Sequence, residues 1–471
     1  MNRKPRVGTL LLSSGWFHDV GMQSDQLTRA IDRAAAEIVE RLTAHVEVVF
    51  PREVHSLDEA HKAVEAFNRS DIDLLLVCYL TWTEDQPLQA VIDRIKPTPI
   101  LLWCFTPFET LPEVVNSEQM LLSSGGVGAL QSSGLLRRRD MSCGFVLGGC
   151  RDDRVMDQII NSARAAATRS DLRLLNIGII PSPCDQMSTT FVDDFKLRNE
   201  LGPSLKYFSI QQYKEVIDGI SDDAIQPVLK DIRNTYRVAS EIAEESLSLS
   251  LRASLALDRL AVDHQLGAIA LNDVSDELHQ RIGLRPGLRL PGMFQKEDLV
   301  VAMEADVGAA VAMYIARRIS GKPCLYAEPL TYDLATNTLV MGHAGLLDAA
   351  IAAGPEQIRI IPDFEYKNSD RYPGAVNHFV GDLGQVTLTN CVYNGRSFQM
   401  VALRGESVGT SWVLQEGYSH MAIRPQIAVE DFFRRNFEIG VSQHWIVVHG
   451  DWCDQLQKLC SMSSMDFYVL L

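Results

Sequence analysis

Continuous apolar runs alternate with amphipathic stretches through the first third of the chain. Residues 6–14, RVGTLLLSS, read as a buried strand. Residues 24–42 carry apolar positions at helical spacing, and Ser24 stands where an N-cap belongs. The same alternation predicts strands over 46–50, 72–79, 97–105 and 144–148, with helices over 57–68, 86–95 and 152–168. Apolar strands separated by helices indicate a parallel sheet covered on both faces. Residues 123–134, SSGGVGALQSSG, read as a loop, either mobile at the surface or reaching a ligand by close backbone approach.

A second α/β pattern follows. Strands are expected over 172–181, 207–210 and 267–272, a long helix pattern over 222–262, and a helix over 295–319. Gly321-Lys322-Pro323 stops that last helix, with glycine after the final turn and proline just beyond. After about residue 345 the texture changes, and short strands are expected over 358–362, 384–389, 397–403, 412–414 and 445–449, with one helix over 429–437. The expected fold class is α/β: two doubly wound, Rossmann-like parallel-sheet domains (1–170 and 171–345) followed by a mostly β C-terminal domain (346–471).

With 471 residues, 46% of them hydrophobic, each of these domains can bury a core. Sixty acidic against 44 basic residues give a net charge of −16, which argues against nucleic acid or an anionic membrane as the main partner. The nine cysteines form no C-x-x-C pair and mostly sit in apolar runs, so they read as reduced, buried thiols. The apolar stretch 7–12 is too short for a signal-peptide core, and no run approaches the ~20 residues of a membrane span. A soluble, cytoplasmic protein is expected.

Against this background four polar residues stand out. Glu304 leads into the apolar stretch ADVGAAVAMYIA, where an ionised carboxylate needs a partner, either a metal or an ion pair. Glu328 follows a short strand at 324–326, where ligands of α/β sheets bind, although a surface-loop carboxylate would look the same. His343 has small neighbours in MGHAGLL, leaving room for a ligand, or is a satisfied core histidine. His444 and His449 share HWIVVH; a spacing of five puts them on opposite faces, so only one can serve a pocket. Two carboxylates and two imidazoles suit a divalent ion of intermediate hardness such as Mn²⁺, and a carboxylate can also move a proton. That pairing suits sugar isomerisation. Trp16 and Trp82 follow the first and third strands and can stack on a sugar ring or simply pack. Gly405 to Gly409 matches G-x-S-x-G, but the extended sequence after it lacks the helix that a nucleophilic Ser407 requires.

Three stretches together resemble the L-arabinose isomerase and L-fucose isomerase superfamily: MEADVGAAVAMYIARRISG, AEPLTYDLATNTLVMGHAG and QHWIVVHGDWCDQL, supported by GQVTLTNCVYNGRSFQMVALRGE. The specific match covers roughly residues 295–460. The resemblance implies one Mn²⁺, with Co²⁺ or Mg²⁺ as alternatives, held by Glu304, Glu328, His343 and His444 rather than His449. It also implies Glu304 and Glu328 as the acid/base pair of an aldose–ketose isomerase working through a cis-enediol. The substrate would be a free pentose, hexose or deoxyhexose, and the assembly a homo-trimer or hexamer. Fucose isomerases generally carry Asp at the position of Glu328, so this chain is nearer the arabinose type. It has no clear Gln/His pair in 123–134, where arabinose isomerases contact substrate, which leaves the sugar open. The alternatives are a non-catalytic or divergent sugar-binding protein on the same fold, or an isomerase of an unusual substituted sugar.

Overall fold

Strands Leu74–Tyr79 and Ile100–Phe105 are buried along nearly their whole length, as their continuous apolar runs predict. With Arg6–Leu12 they form the centre of a five-stranded parallel sheet in the order Glu47–Val49, Arg6–Leu12, Leu74–Tyr79, Ile100–Phe105, Cys143–Gly148. Helices Asp25–Thr43 and Leu57–Ser70 join the first three strands in chain order and Asp153–Leu172 follows the last strand, and the Ser24 hydroxyl caps the first helix by accepting from the Leu27 N–H. The computed structural model describes residues 3–21, 24–366, 374–409 and 413–470. They fall into two compact units, 1–170 and 171–471, and this sheet belongs to the first.

The Gly/Ser segment 123–134 is not a loop. It lies almost wholly within helix Gly125–Arg138. Its glycines serve packing: a Cβ on Gly125 would stand 2.2 Å from the Tyr79 carbonyl oxygen, and one on Gly128 would stand 2.6 Å from the Tyr79 ring. The close approach expected of these glycines is therefore to the protein's own strand ends.

The second unit contains a four-stranded parallel sheet ordered Val300–Ala302, Ala268–Leu271, Asn176–Ile180, Ser204–Tyr207. Two expected helices are corrected here. The pattern over 222–262 is two helices, Asp222–Thr235 and Glu244–Asp263, separated by strand Arg237–Val238, which pairs with Ile358–Pro362. No glycine or proline marks the break; the β-formers Tyr236 and Val238 do. The helix expected over 295–319 begins only at Val307; before it come strand Val300–Ala302 and a tight turn. From Leu299 to Ala316 the run is mostly apolar and buried in both elements, so period alone could not separate strand from helix.

A largely β C-terminal region follows, built around one antiparallel arrangement. Strands Gly384–Tyr393, Trp445–His449, Cys324–Asp333, Thr338–His343, Ser419–Pro425 and Phe398–Ser407 pair in that order, and the last returns to pair with the first. Six strands thus close into a barrel, which removes their free edges. Met465–Val469 adds to Phe398–Ser407 in parallel, and helix Cys453–Ser461 precedes it. The strand expected over 412–414 falls partly outside the described residues, and Val413 and Leu414 are not in a strand. No described helix is long and apolar enough to cross a membrane.

Candidate metal centre

Four segments converge on one point of the second unit. Glu304 lies in the turn between strand Val300–Ala302 and helix Val307–Ser320. Glu328 is within the ten-residue strand Cys324–Asp333, rather than beyond the end of a three-residue one. His343 ends strand Thr338–His343, and His444 directly precedes Trp445–His449. Each offers a donor atom, all within 4.8 Å of one another. His444 Nε2 stands 2.8 Å from Glu304 Oε2 and 3.6 Å from Glu328 Oε1, and His343 Nε2 stands 3.7 Å from Glu304 Oε1. Glu304, His343 and His444 are buried; Glu328 keeps 29% of its side chain exposed and so forms the open side of the cluster.

The donors fit a metal ion on an observation beyond proximity. Glu304 Oε2 and His444 Nε2 are buried, and neither has a hydrogen-bond partner despite their short separation. Two such atoms aimed together but out of line for a hydrogen bond leave lone pairs for a common cation. The surroundings fix that aim. Asp306 Oδ2 lies 2.7 Å from His444 Nδ1, and the Ala344 carbonyl lies 2.8 Å from His343 Nδ1. Both contacts direct Nε2 inward, the arrangement usual for histidines that bind metals. The Tyr326 ring packs against both imidazoles at 4.9 and 4.8 Å, and its hydroxyl donates to the Met303 carbonyl at 3.1 Å.

Glu304 is held in an unusual backbone. It and Ala305 have φ of 57° and 51°, the left-handed region that side chains other than glycine rarely adopt. The Glu304 N–H donates to Asp273 Oδ1 at 2.8 Å, and the Ala305 N–H to the Leu271 carbonyl at 2.9 Å. Asp273 is backed in turn by buried Arg285, which bonds Asp363 through two nitrogens at 2.7 Å each and pairs with Glu365 at 2.6 Å.

Electrostatics set the two glutamates apart. Burial would raise the Glu304 carboxyl, but His343 and His444 overcome it and hold the group at about 2. Glu328 is pushed up, chiefly by burial, with the Glu304 charge adding to it and the histidines opposing. Burial would lower His444, yet Asp306 and Glu304 raise it to about 10. His343 is raised too, with burial outweighed by Glu304.

Sequence reasoning missed Asp306, Asp273, Arg285 and Tyr326. Only Asp306 carried a readable signal: it is the N-cap of the helix, accepting from the Ala309 N–H, and would have stood out had the helix been started correctly. His449 sits at the far end of its strand, with Nε2 3.0 Å from the Asp382 carbonyl. Ser407 ends a strand, Val408 donates to the Ala422 carbonyl, and neither Val408 nor Gly409 is helical. Trp16 and Trp82 belong to the first unit. Phe17 contacts both edge-on, at 5.4 and 6.1 Å, while Trp16 is half-exposed and the Trp82 indole donates to Gln131 at 3.0 Å.

No family model matches the chain. Individual relatives do. A sulfoquinovose isomerase of Priestia aryabhattai is 19% identical over 429 residues, 90% of this chain and 91% of its own. Those of Alkalicoccus urumqiensis and Clostridium sp. (strain MSTE9) are 21% and 20% identical over 394 and 404 residues, covering 82% and 84% of this chain and 84% and 86% of their own. The chain is a distant, near full-length relative of sulfoquinovose isomerases. The alignment reaches well beyond the 295–460 stretch on which the sequence resemblance rests.

Proposed function

We propose that this protein is a metal-dependent aldose–ketose isomerase, with Glu304, Glu328, His343 and His444 holding one Mn²⁺, or Co²⁺ or Mg²⁺ in its place. The observation that carries this reading is the cluster itself: two carboxylates and two imidazoles offer donor atoms within 4.8 Å of one another, with Glu304, His343 and His444 buried and Glu328 on the open side. A cation site that also holds a carboxylate on its open side can combine metal binding with proton transfer. These four residues would hold the cation, and its charge would polarise a substrate carbonyl. Glu304 stays ionised and buried as a ligand. Glu328, on the open side, exchanges a proton with the substrate. Moving one hydrogen between adjacent carbons passes through a cis-enediol, and both glutamates flank the carbons involved. Asp306 keeps His444 in the tautomer that presents Nε2.

The relatives' names direct the choice of sugar. Sulfoquinovose, or another substituted sugar, joins the free pentoses, hexoses and deoxyhexoses as a candidate substrate. Trp16 and Trp82 are proposed to stack on sugar, in a cytoplasmic homo-trimer or hexamer as the superfamily resemblance implies. The nine cysteines, all free thiols, suit that compartment.

The test is solvent exchange. Chelator-stripped protein is given Mn²⁺, Co²⁺, Mg²⁺ or Zn²⁺ in D₂O with a panel of sugars that includes sulfoquinovose. Metal-dependent deuterium entry at one carbon next to the carbonyl is expected, and it should vanish in Glu304→Gln. Exchange that survives that substitution would overturn the role given to Glu304, and metal binding with no exchange on any sugar would leave a sugar-binding protein as the better reading.

A further inference from the structure

At the carboxyl ends of strands Arg6–Leu12 and Glu47–Val49 in the first unit stands another group of donors. His18, Glu53 and His55 each offer one ligand atom, all within 4.8 Å of one another. The backbone builds this group. Leu12 and Val54 form a parallel bridge, with the Ser13 N–H on the Val54 carbonyl at 3.1 Å and the Val54 N–H on the Leu11 carbonyl at 2.9 Å. Glu53 and His55 flank Val54, so in extended chain both side chains leave on one side. Helix Gly15–Asp19 brings His18 over them, and its ring stacks on His55 at 4.3 Å and 24°.

Glu53 Oε1 stands 3.8 Å from His18 Nε2, and the Ser13 hydroxyl touches both, bonding Glu53 and lying 3.1 Å from that nitrogen. An ion pair between Glu53 and His18 accounts for those two residues alone. It leaves His55 lying face-on against another imidazole, with its buried Nδ1 lacking a hydrogen bond. That nitrogen is 3.2 Å from Glu59 Oε2, and Glu59 is itself fixed by the His55 backbone N–H at 3.0 Å and by Arg52 at 3.3 Å. A carboxylate therefore stands behind one histidine, as Asp306 stands behind His444. Two imidazoles and one carboxylate make the donor set of cation sites that keep positions open for an exchangeable ligand.

We propose that His18, Glu53 and His55 form a second divalent-cation site, suited to a borderline ion such as Zn²⁺ or Co²⁺, with the Ser13 hydroxyl beside it and open positions for ligand oxygen. The proposal uses none of the residues of the first centre and does not depend on the isomerase reading.

Counting bound ions tests it. Full-length, chelator-stripped protein is dialysed against Co²⁺, and bound metal is measured by elemental analysis and by the visible spectrum of the cobalt. His18→Gln/His55→Gln should bind one equivalent fewer than wild type, and the visible bands of that equivalent should vanish. A count and spectrum equal to wild type would overturn the site. If the double variant fails to fold, as judged by its circular dichroism melt, Glu53→Gln decides: weakened binding of the same equivalent supports the site, and unchanged binding overturns it. A failure at the first centre shows up separately, as a Glu304→Gln/His444→Gln variant that binds as much as wild type.

Discussion

Asp306 caps helix Val307–Ser320 with one oxygen and orients His444 with the other, so substitution can separate the two roles. Asn at this position still caps but no longer carries the charge that fixes the imidazole. Asp306→Asn should therefore weaken metal binding by about 10–100-fold with little loss of stability, whereas Asp306→Ala should lose about 1 kcal/mol of stability as well. Calorimetric titration and thermal melts check both. The histidines also set a pH dependence. In the metal-free protein His444 is raised from 6.5 to about 10, so its stabilising contribution is complete below 6.5 and disappears as pH rises through about 10. Glu304 works the other way: lowered from 4.5 to about 2, it contributes above 4.5 and ceases to as pH falls through about 2. The metal-free protein should lose melting temperature steadily above neutrality. A cation must displace the His444 proton, so its affinity should climb over the same range. Calorimetry in buffers of different ionisation heat should count at least one proton released per ion at neutral pH. The four donors stood out in sequence as polar residues beside apolar stretches, but each alone allowed a structural reading, and only the resemblance of three stretches to sugar isomerases joined them into one set. Asp273 and Arg285 did not stand out, because nothing local says that a residue 31 positions away will receive the Glu304 N–H.

Helix Val307–Ser320 lies so close to strand Gly384–Tyr393 that a Cβ on Gly308 would come within 2.4 Å of the Cys391 carbonyl oxygen. Backbone cannot yield as a flexible side chain can. Gly308→Ala should destabilise the protein by about 1–3 kcal/mol and, by shifting the helix start that carries Asp306, weaken metal binding as well. A melt with and without metal separates those effects, and an unchanged melt would contradict the packing described. Sequence periodicity served the elements unevenly for physical reasons. Strand Leu74–Tyr79 and helix Asp25–Thr43 have one environment along their length, so a single period describes them. The stretch from Val300 to Ser320 is buried in both its strand and its helix, and burial erases the period that tells the two apart. The glycines of helix Gly125–Arg138 read as flexibility when their use is to let a helix sit on strand ends.

On the scale of the whole second unit, the donors are 140 positions apart in sequence, from Glu304 to His444, and come from a turn of the parallel-sheet part and three segments of the barrel. A bound ion would cross-link them. Stripping metal should lower the melting temperature. At a free ion concentration near 100 times the dissociation constant the stabilisation is about 2.7 kcal/mol, and amide exchange should slow most at the start of helix Val307–Ser320. A mostly β region was readable from composition, but ring closure was not, because it depends on which strands pair across long separations, such as Cys324–Asp333 with Trp445–His449. The left-handed turn at Glu304 and Ala305 bears on how this sequence can change over generations. Two neighbouring residues sit in a conformation that favours glycine by roughly 1–2 kcal/mol each, but at 304 the carboxylate offsets that strain through its pairs with His343 and His444. A randomised library sorted only for survival at high temperature should therefore enrich glycine at 305 far more than at 304, while one sorted for turnover should admit it at 305 and reject it at 304.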